Sequence, residues 1–260
     1  MSEIPKIHFV SLFSVKLDAD MIPYFVPHYR DLNLDSYLIF LHESENESEN
    51  KFCEETMKDA GFNVKRVIRT ASFGEGDLRK RAVEKAKKSI PTTDYIMTAD
   101  SDEIQMWDKH PSEIVHDNYD LVLGITFDRF DTALKEIDHT LSLEENYPLE
   151  SANLHKHLFP ENPRPRRKIL LSRASYSIDY TASRDINISK DAFSNLRVHG
   201  DVPIQHYFWR DNIFDRLQNR RDYTVSELRE IKRFFSGVEI APAKPLQLEN
   251  NNSNMDVTVT

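Results

Sequence analysis

The chain has 260 residues, 39% of them hydrophobic and 30% charged, with a formal net charge of −9. That balance describes a globular protein with room for one α/β domain plus appendages, and excludes a disordered chain. The negative charge also argues against a protein that grips a phosphate backbone, which needs a basic face, so no nucleic-acid partner is expected.

Short apolar runs alternate with helical stretches, the pattern of βαβ units around a mostly parallel sheet. Lys6 to Phe13 reads as a first buried strand. Asp18 or Asp20 is placed to cap the next helix; Pro23 suits its first turn, while Pro27 is expected to kink or delay it. Ser36 to Leu41 is a second strand, followed by a polar loop and a helix from about Glu49 to Ala60 that Gly61 stops. Asn63 to Arg69 forms a third strand. A helix opened by Gly76 and Asp77 runs to Lys88 with Leu78, Ala82 and Ala86 on one face, and Tyr95 to Ala99 is a fourth strand. Leu121 to Phe127 and Lys168 to Ser172 are further strands, and the signal-poor stretch 128–166 between them reads as a binding loop or lid. A charged helical region begins near Asn212, and LENNNSNMDVTVT reads as a disordered tail. Cys53 is the only cysteine, which excludes an intrachain disulfide and fits a reducing compartment. The opening MSEIPKIHFVSLFSVK lacks the features of a secretion signal, and no stretch approaches the roughly 20 apolar residues of a membrane span. A cytoplasmic location without a transmembrane segment is therefore expected.

The chemistry concentrates where the fourth strand runs straight into Asp100-Ser101-Asp102-Glu103. Ligands of open α/β sheets bind beyond the carboxyl ends of the strands, and crowded carboxylates need a cation between them. Mg²⁺ and Mn²⁺ favour such oxygens together with substrate phosphates. Asp18-Ala19-Asp20 has the same spacing but reads as a helix cap and first-turn charge.

Three blocks carry a family resemblance. ADMIPYFVPHYRDLNLDSYLIFLHE, DYIMTADSDEI and IQHYFWRDNIFDRLQNRR, in this order, resemble the opening, the DxDE element and the C-terminal segment of family-2-like glycosyltransferases with the GT-A fold. Together they span roughly residues 4–221. The helical region and polar tail noted above make residues 212–248 a helical appendage and 249–260 a disordered tail; the resemblance implies a GT-A-like domain over residues 1–211. It implies a nucleotide-sugar donor, a divalent cation and inverting transfer to a hydroxyl of a glycan, lipid-linked or protein acceptor. Asp100 would lie near the ribose or metal, Asp102 would bind the metal, and His206 would complete the coordination. In the Ile204–Trp209 run alone, His206 reads as a core histidine, and His199-Gly200-Asp201 is a competing source of ligands. An imidazole ligand favours Mn²⁺ over Mg²⁺. The chain departs from the family pattern at Lys16-Leu17-Asp18 and at His42-Glu43, where such enzymes hold the nucleoside.

Donor contacts are assigned to Asp100, Glu43, Arg81 and Arg167. The two arginines come from the basic runs Arg79-Lys80-Arg81 and Arg164–Lys168, suited to neutralising a departing diphosphate. The resemblance also implies a general base some way beyond the DxD turn, which makes Asp185, 85 residues after Asp100, the candidate, with Asp128 and Asp131 as alternatives. Tyr147, Tyr176 and Tyr180 are stacking candidates whose simpler role is core packing. Three other functions compete: a haloacid-dehalogenase-type phosphatase using the Asp100/Asp102 pair, a non-catalytic nucleotide-sugar-binding module, and a nucleotidyltransferase. The last normally carries a glycine-rich loop, and the chain has only six glycines.

Overall fold

The computed structural model describes residues 4–67, 75–131, 133–151, 154, 167–176, 178–179, 185–186, 196–211, 213, 229, 231 and 235; of 75–77, 167, 178–179 and 185–186 it describes the backbone. The chain begins with β1 (Ile7–Ser14), a helical turn α1 (Val15–Asp18), a 3₁₀ turn (Ala19–Met21), α2 (Ile22–Asp31), β2 (Ser36–His42) and α3 (Glu47–Asp59). It continues with β3 (Asn63–Val67), α4 (Glu75–Lys87), β4 (Tyr95–Asp100), β5 (Glu103–Gln105), α5 (Pro111–His116) and β6 (Leu121–Phe130). Next come α6 (Leu143–Asn146), β7 (Leu149–Ser151), β8 (Arg167–Arg173), the two-residue strands β9 (Ile178–Asp179) and β10 (Asp185–Ile186), and the long β11 (Val198–Trp209).

One sheet has the order β3-β2-β1-β4-β8-β6-β11-β5, with β7 added on β6. β1 is parallel to β2 and β4, β2 to β3, and β6 to β11. β8 is antiparallel to both β4 and β6, so those two strands point the same way. The expected α/β class with a mostly parallel sheet is therefore observed, and the carboxyl ends of β1, β2, β4, β6 and β11 share one rim. β9 and β10 form a separate antiparallel pair. Among the described residues no helix is long and apolar enough to cross a membrane.

Strand alternation explains the layers. Ile7, Phe9 and Phe13 of β1 face one way, into a core with Phe25 and Tyr29 of α2 and Cys53 and Met57 of α3. Val10 and Leu12 face the other way, against Ala82, Val83 and Ala86 of α4. The helix expected to end at Gly61 does so by satisfying its last carbonyls: Gly61 adopts φ 88°, its N–H bonds the Lys58 carbonyl, and the Phe62 N–H bonds that of Met57. Asn46 caps the start of the same helix. Pro27 neither ends nor delays α2, which runs through to Asp31. One turn into the helix, its missing N–H deprives only the Pro23 carbonyl of a partner.

The structure corrects the role read for Asp18 and Asp20. Neither side chain caps a helix. β5 and β7 were not expected; at three residues each they carry too little pattern to register. Of the expected appendage, Ile213, Ile231 and Phe235 pack on Phe130, Phe208 and Trp209. The rest of 212–248, the tail 249–260 and most of 152–166 lie outside the described residues.

Gly124 of β6 sits where strands cross closely. A Cβ there would meet the Cδ1 atoms of Ile204 and Leu170, each at 2.7 Å, and both side chains are fully buried. Gly124→Ala should therefore cost about 1–3 kcal/mol by overpacking, measured as a lower urea midpoint; unchanged stability would show that this core yields freely.

Candidate functional site

The turn after β4 is built from several directions. Asp100 ends a strand whose six residues are all buried. The chain then reverses and pairs β5 antiparallel with β11, setting Glu103 opposite His206. The Tyr207 N–H donates to the Asp102 carbonyl at 2.8 Å. By this route residues 102 and 206 become neighbours. From behind, the HYR run of α2 braces β5: the Tyr29 hydroxyl donates to the Glu103 carbonyl at 2.9 Å and His28 Nε2 to that of Gln105 at 3.0 Å. A carbonyl only accepts, so His28 must carry its proton on Nε2. Burial lowers its pKa and favours that neutral form.

Asp102 Oδ1 lies 3.7 Å from His206 Nε2. The other nitrogen of that ring, Nδ1, is 2.8 Å from Asp128 Oδ1. A carboxylate only accepts, so Nδ1 is the donor in that bond and Nε2 is the nitrogen that faces Asp102. The second Asp128 oxygen accepts the Leu154 N–H at 3.2 Å. The imidazole stacks on Phe208, with ring centroids 5.6 Å apart. Register between β6 and β11 shifts beyond His206, so an irregular strand segment, a device common beside active sites, adjoins this pair.

Asp100 faces cations. Its Oδ1 is 2.5 Å from Arg79 and its Oδ2 3.2 Å from Lys168. Lys168 also pairs with Glu103, whose side chain is wholly buried and whose other oxygen accepts the Asp100 N–H at 3.1 Å. Asp18, just beyond β1, turns inward: Oδ2 accepts the Ser101 hydroxyl at 2.5 Å and Oδ1 the Arg210 guanidinium at 2.5 Å. Arg210 also bonds the Leu17 carbonyl at 3.0 Å and lies 3.4 Å from Asp20. Burial opposes the charge of Arg210, but Asp20, Asp18 and Asp102 outweigh it and hold its pKa above the ordinary value.

The other sequence candidates fall elsewhere. Glu43 pairs with Arg66 at 3.1 Å, beside Glu47 and Glu54 on the same guanidinium. Arg81 is exposed, whereas Arg79, two residues earlier on α4, is buried against Asp100. The Arg167 side chain lies outside the described residues, and its neighbour Lys168 is the one that reaches the turn. Asp131 bonds the Ala133 N–H at 2.7 Å and Lys135 at 2.9 Å. Asp185 is placed by its backbone in β10, with its side chain outside the description. His199 is removed as a competing ligand: it pairs with Val122 at the amino end of β6, 4.0 Å from Asp108, whereas His206 pairs with Asp128 at the carboxyl end. Tyr147 is core, 5.7 Å from Tyr207, and Tyr176 bonds Asp120; Tyr180 lies outside the described residues. The sequence reading missed Asp18 and Arg210 as parts of the site, although Asp18 had the right spacing and both flank strands that end on this rim.

The ion pairs of this rim fall into three groups: Asp100 and Glu103 with Arg79 and Lys168, Asp18 and Asp20 with Arg210, and Asp102 and Asp128 with His206. Among the described residues no group of three or more His, Cys, Asp or Glu side chains is arranged to hold a metal ion. Of the three expected metal ligands, Asp102 and His206 are brought together, whereas Asp100 has its oxygens on Arg79 and Lys168.

The frame and its rim define an α/β protein with a cluster of acidic and basic side chains at the carboxyl edge of a mostly parallel sheet. No family model matches the chain, and no curated protein sequence does. Among solved structures it is similar to a protein from Bacillus anthracis described as a glucose-1-phosphate thymidylyltransferase, at 10% identity and TM-score 0.43, covering 86% of this chain and 99% of that one. It is similar to S. aureus TarS at 10% identity and TM-score 0.44, over 88% of this chain and 42% of TarS. A third is glucosyl-3-phosphoglycerate synthase from Mycobacterium tuberculosis, solved with Mn²⁺, uridine diphosphate and phosphoglyceric acid, at 15% identity, TM-score 0.40, and 90% and 80% coverage. These likenesses are in outline only.

Proposed function

We propose that the chain is a divalent-metal-dependent glycosyltransferase, moving a sugar from a nucleotide-sugar donor to an acceptor hydroxyl with inversion. The observation that carries this is the Asp102–His206 pair, 3.7 Å apart, with Asp128 behind the imidazole. A carboxylate backing a histidine whose free nitrogen faces a second carboxylate is the arrangement of an oriented metal ligand. A cation held there, preferably Mn²⁺ given the imidazole, would supply charge stabilisation for the departing nucleoside diphosphate.

The chain's own groups do the rest. Asp102 and His206 hold the cation, and Asp128 fixes the tautomer of His206. Arg79 and Lys168, in place of Arg81 and Arg167, stand at the turn as the cations that face the developing negative charge. Asp100 orients both of them. Asp128 and Asp131 are held by other groups of the chain, and the family resemblance, not the described contacts, assigns Asp185 as the base that takes the acceptor proton. The phosphatase reading loses ground because both oxygens of Asp100, its required nucleophile, rest on cations.

A thermal-shift screen of UDP-, GDP- and dTDP-sugars with and without Mn²⁺ tests this reading. Metal-dependent stabilisation by one of them is expected, about 2.7 kcal/mol at a hundredfold excess over Kd. No response to any of the three, with or without metal, would sink it. Slow hydrolysis of the stabilising sugar nucleotide separates an enzyme from a binding module. Asp128→Asn should weaken Mn²⁺ binding by roughly 10–100-fold through loss of the His206 tautomer, whereas Asp185→Asn should leave Mn²⁺ binding intact and cut transfer by 10²-fold or more.

A further inference from the structure

We propose that Asp18 is a positioning residue: through Ser101 it sets the orientation of the Asp102 carboxylate for the cation, and Arg210 holds Asp18 in place to do so. This rests on the metal reading above and adds residues that neither the sequence motif nor the ligand pair supplies. Asp102 is the second residue of the two-residue reversal between β4 and β5, which ordinarily leaves side chains some freedom. Here the reversal is pinned on both sides. The Asp102 carbonyl takes the Tyr207 N–H at 2.8 Å, and the Ser101 hydroxyl gives its proton to Asp18 at 2.5 Å. Ser101 and Asp18 are both buried, so water does not substitute freely for that bond.

Asp18 in turn is not free to follow Ser101. Its second oxygen is held by Arg210, a guanidinium without solvent exposure that also bonds the Leu17 carbonyl, one residue before Asp18. The relay Arg210–Asp18–Ser101 ties the ends of three strands, β11, β1 and β4, around the ligand pair. Rotation of Ser101 would have to break a short charge-assisted bond in a buried setting. Arg210 follows β11, the strand that carries His206, so the same guanidinium couples both ligand-bearing segments.

Ser101→Ala tests the relay while leaving the Asp18–Arg210 ion pair in place. Mn²⁺ affinity of the whole chain, read by electron paramagnetic resonance of the free ion, should fall about tenfold or more. Ser101→Thr, which keeps the hydroxyl, should restore it to within about threefold. Tyr95→Phe is the control for a generic lost hydrogen bond: that hydroxyl bonds the Tyr119 carbonyl at 2.8 Å, at the opposite end of β4. It should bind Mn²⁺ as the parent does. Asp18→Asn, which cannot accept from both Ser101 and Arg210 with both oxygens, should also weaken Mn²⁺ binding in protein that remains folded by circular dichroism. If the parent binds Mn²⁺ and Ser101→Ala binds it equally well, the relay is wrong and the metal reading stands. A parent that binds no Mn²⁺ overturns both.

Discussion

Asp102→Asn should abolish the stabilisation that Mn²⁺ and a nucleotide-sugar confer together, and should reduce sugar transfer by roughly 10³-fold, as expected when a metal's charge is lost from a transition state. The metal-free variant should nevertheless keep its fold and melt close to the parent, because the isosteric amide leaves the turn's backbone bond from the Tyr207 N–H to the residue-102 carbonyl in place. Paired thermal melts, with and without Mn²⁺ plus donor, check both halves. A variant that still responds to metal would move the cation elsewhere, and one that unfolds would show Asp102 to be structural.

Arg210→Met should be the most destabilising single change on the rim, costing about 3–5 kcal/mol, because Asp18 would be left buried without its counter-charge. For a domain of this size that corresponds to a drop in melting temperature on the order of 10 °C. Adding Asp18→Asn to Arg210→Met should recover a large part of the loss, since the pair as a whole contributes little once its desolvation is counted. The four-member denaturation cycle gives the coupling directly. Single and double variants of equal stability would rule out a compensated buried pair.

Much of the frame was legible because its signals are local. The apolar runs of β1, β2 and β4, the Ala82/Ala86 face of α4 and the Gly61 stop each depend on a few adjacent residues, and each is observed. The Asp100–Glu103 turn was legible from its place after an apolar strand, and His206 from the resemblance. What escaped was pairing across long sequence distance. Asp18 reads locally as a cap, yet its carboxylate answers to Arg210, 192 positions later. Asp128 reads as a free acid after a strand, yet it is spent on His206, 78 positions away. The basic runs announced that cations were needed, but helix and strand phase decided which ones: Arg79 faces the turn and Arg81 faces solvent.

The two ends of the strand order, β3 and β5, carry a consequence for colloidal behaviour. An unprotected sheet edge is a template for another copy's backbone, and proteins blunt it with charge or brevity. β3 holds exposed or half-exposed Asn63, Lys65 and Arg66, and Arg66 is tethered by Glu43, Glu47 and Glu54. β5 offers three residues, all buried. A strand added from a neighbouring chain would meet like charges on one side and almost no ladder on the other. Lys65→Val together with Arg66→Val would remove that guard and leave the run Asn-Val-Val-Val-Val, a β-prone segment at the sheet's margin. The folded protein should then become prone to fibril formation, a hazard set by two basic side chains at the margin and three glutamates around one guanidinium rather than by the core.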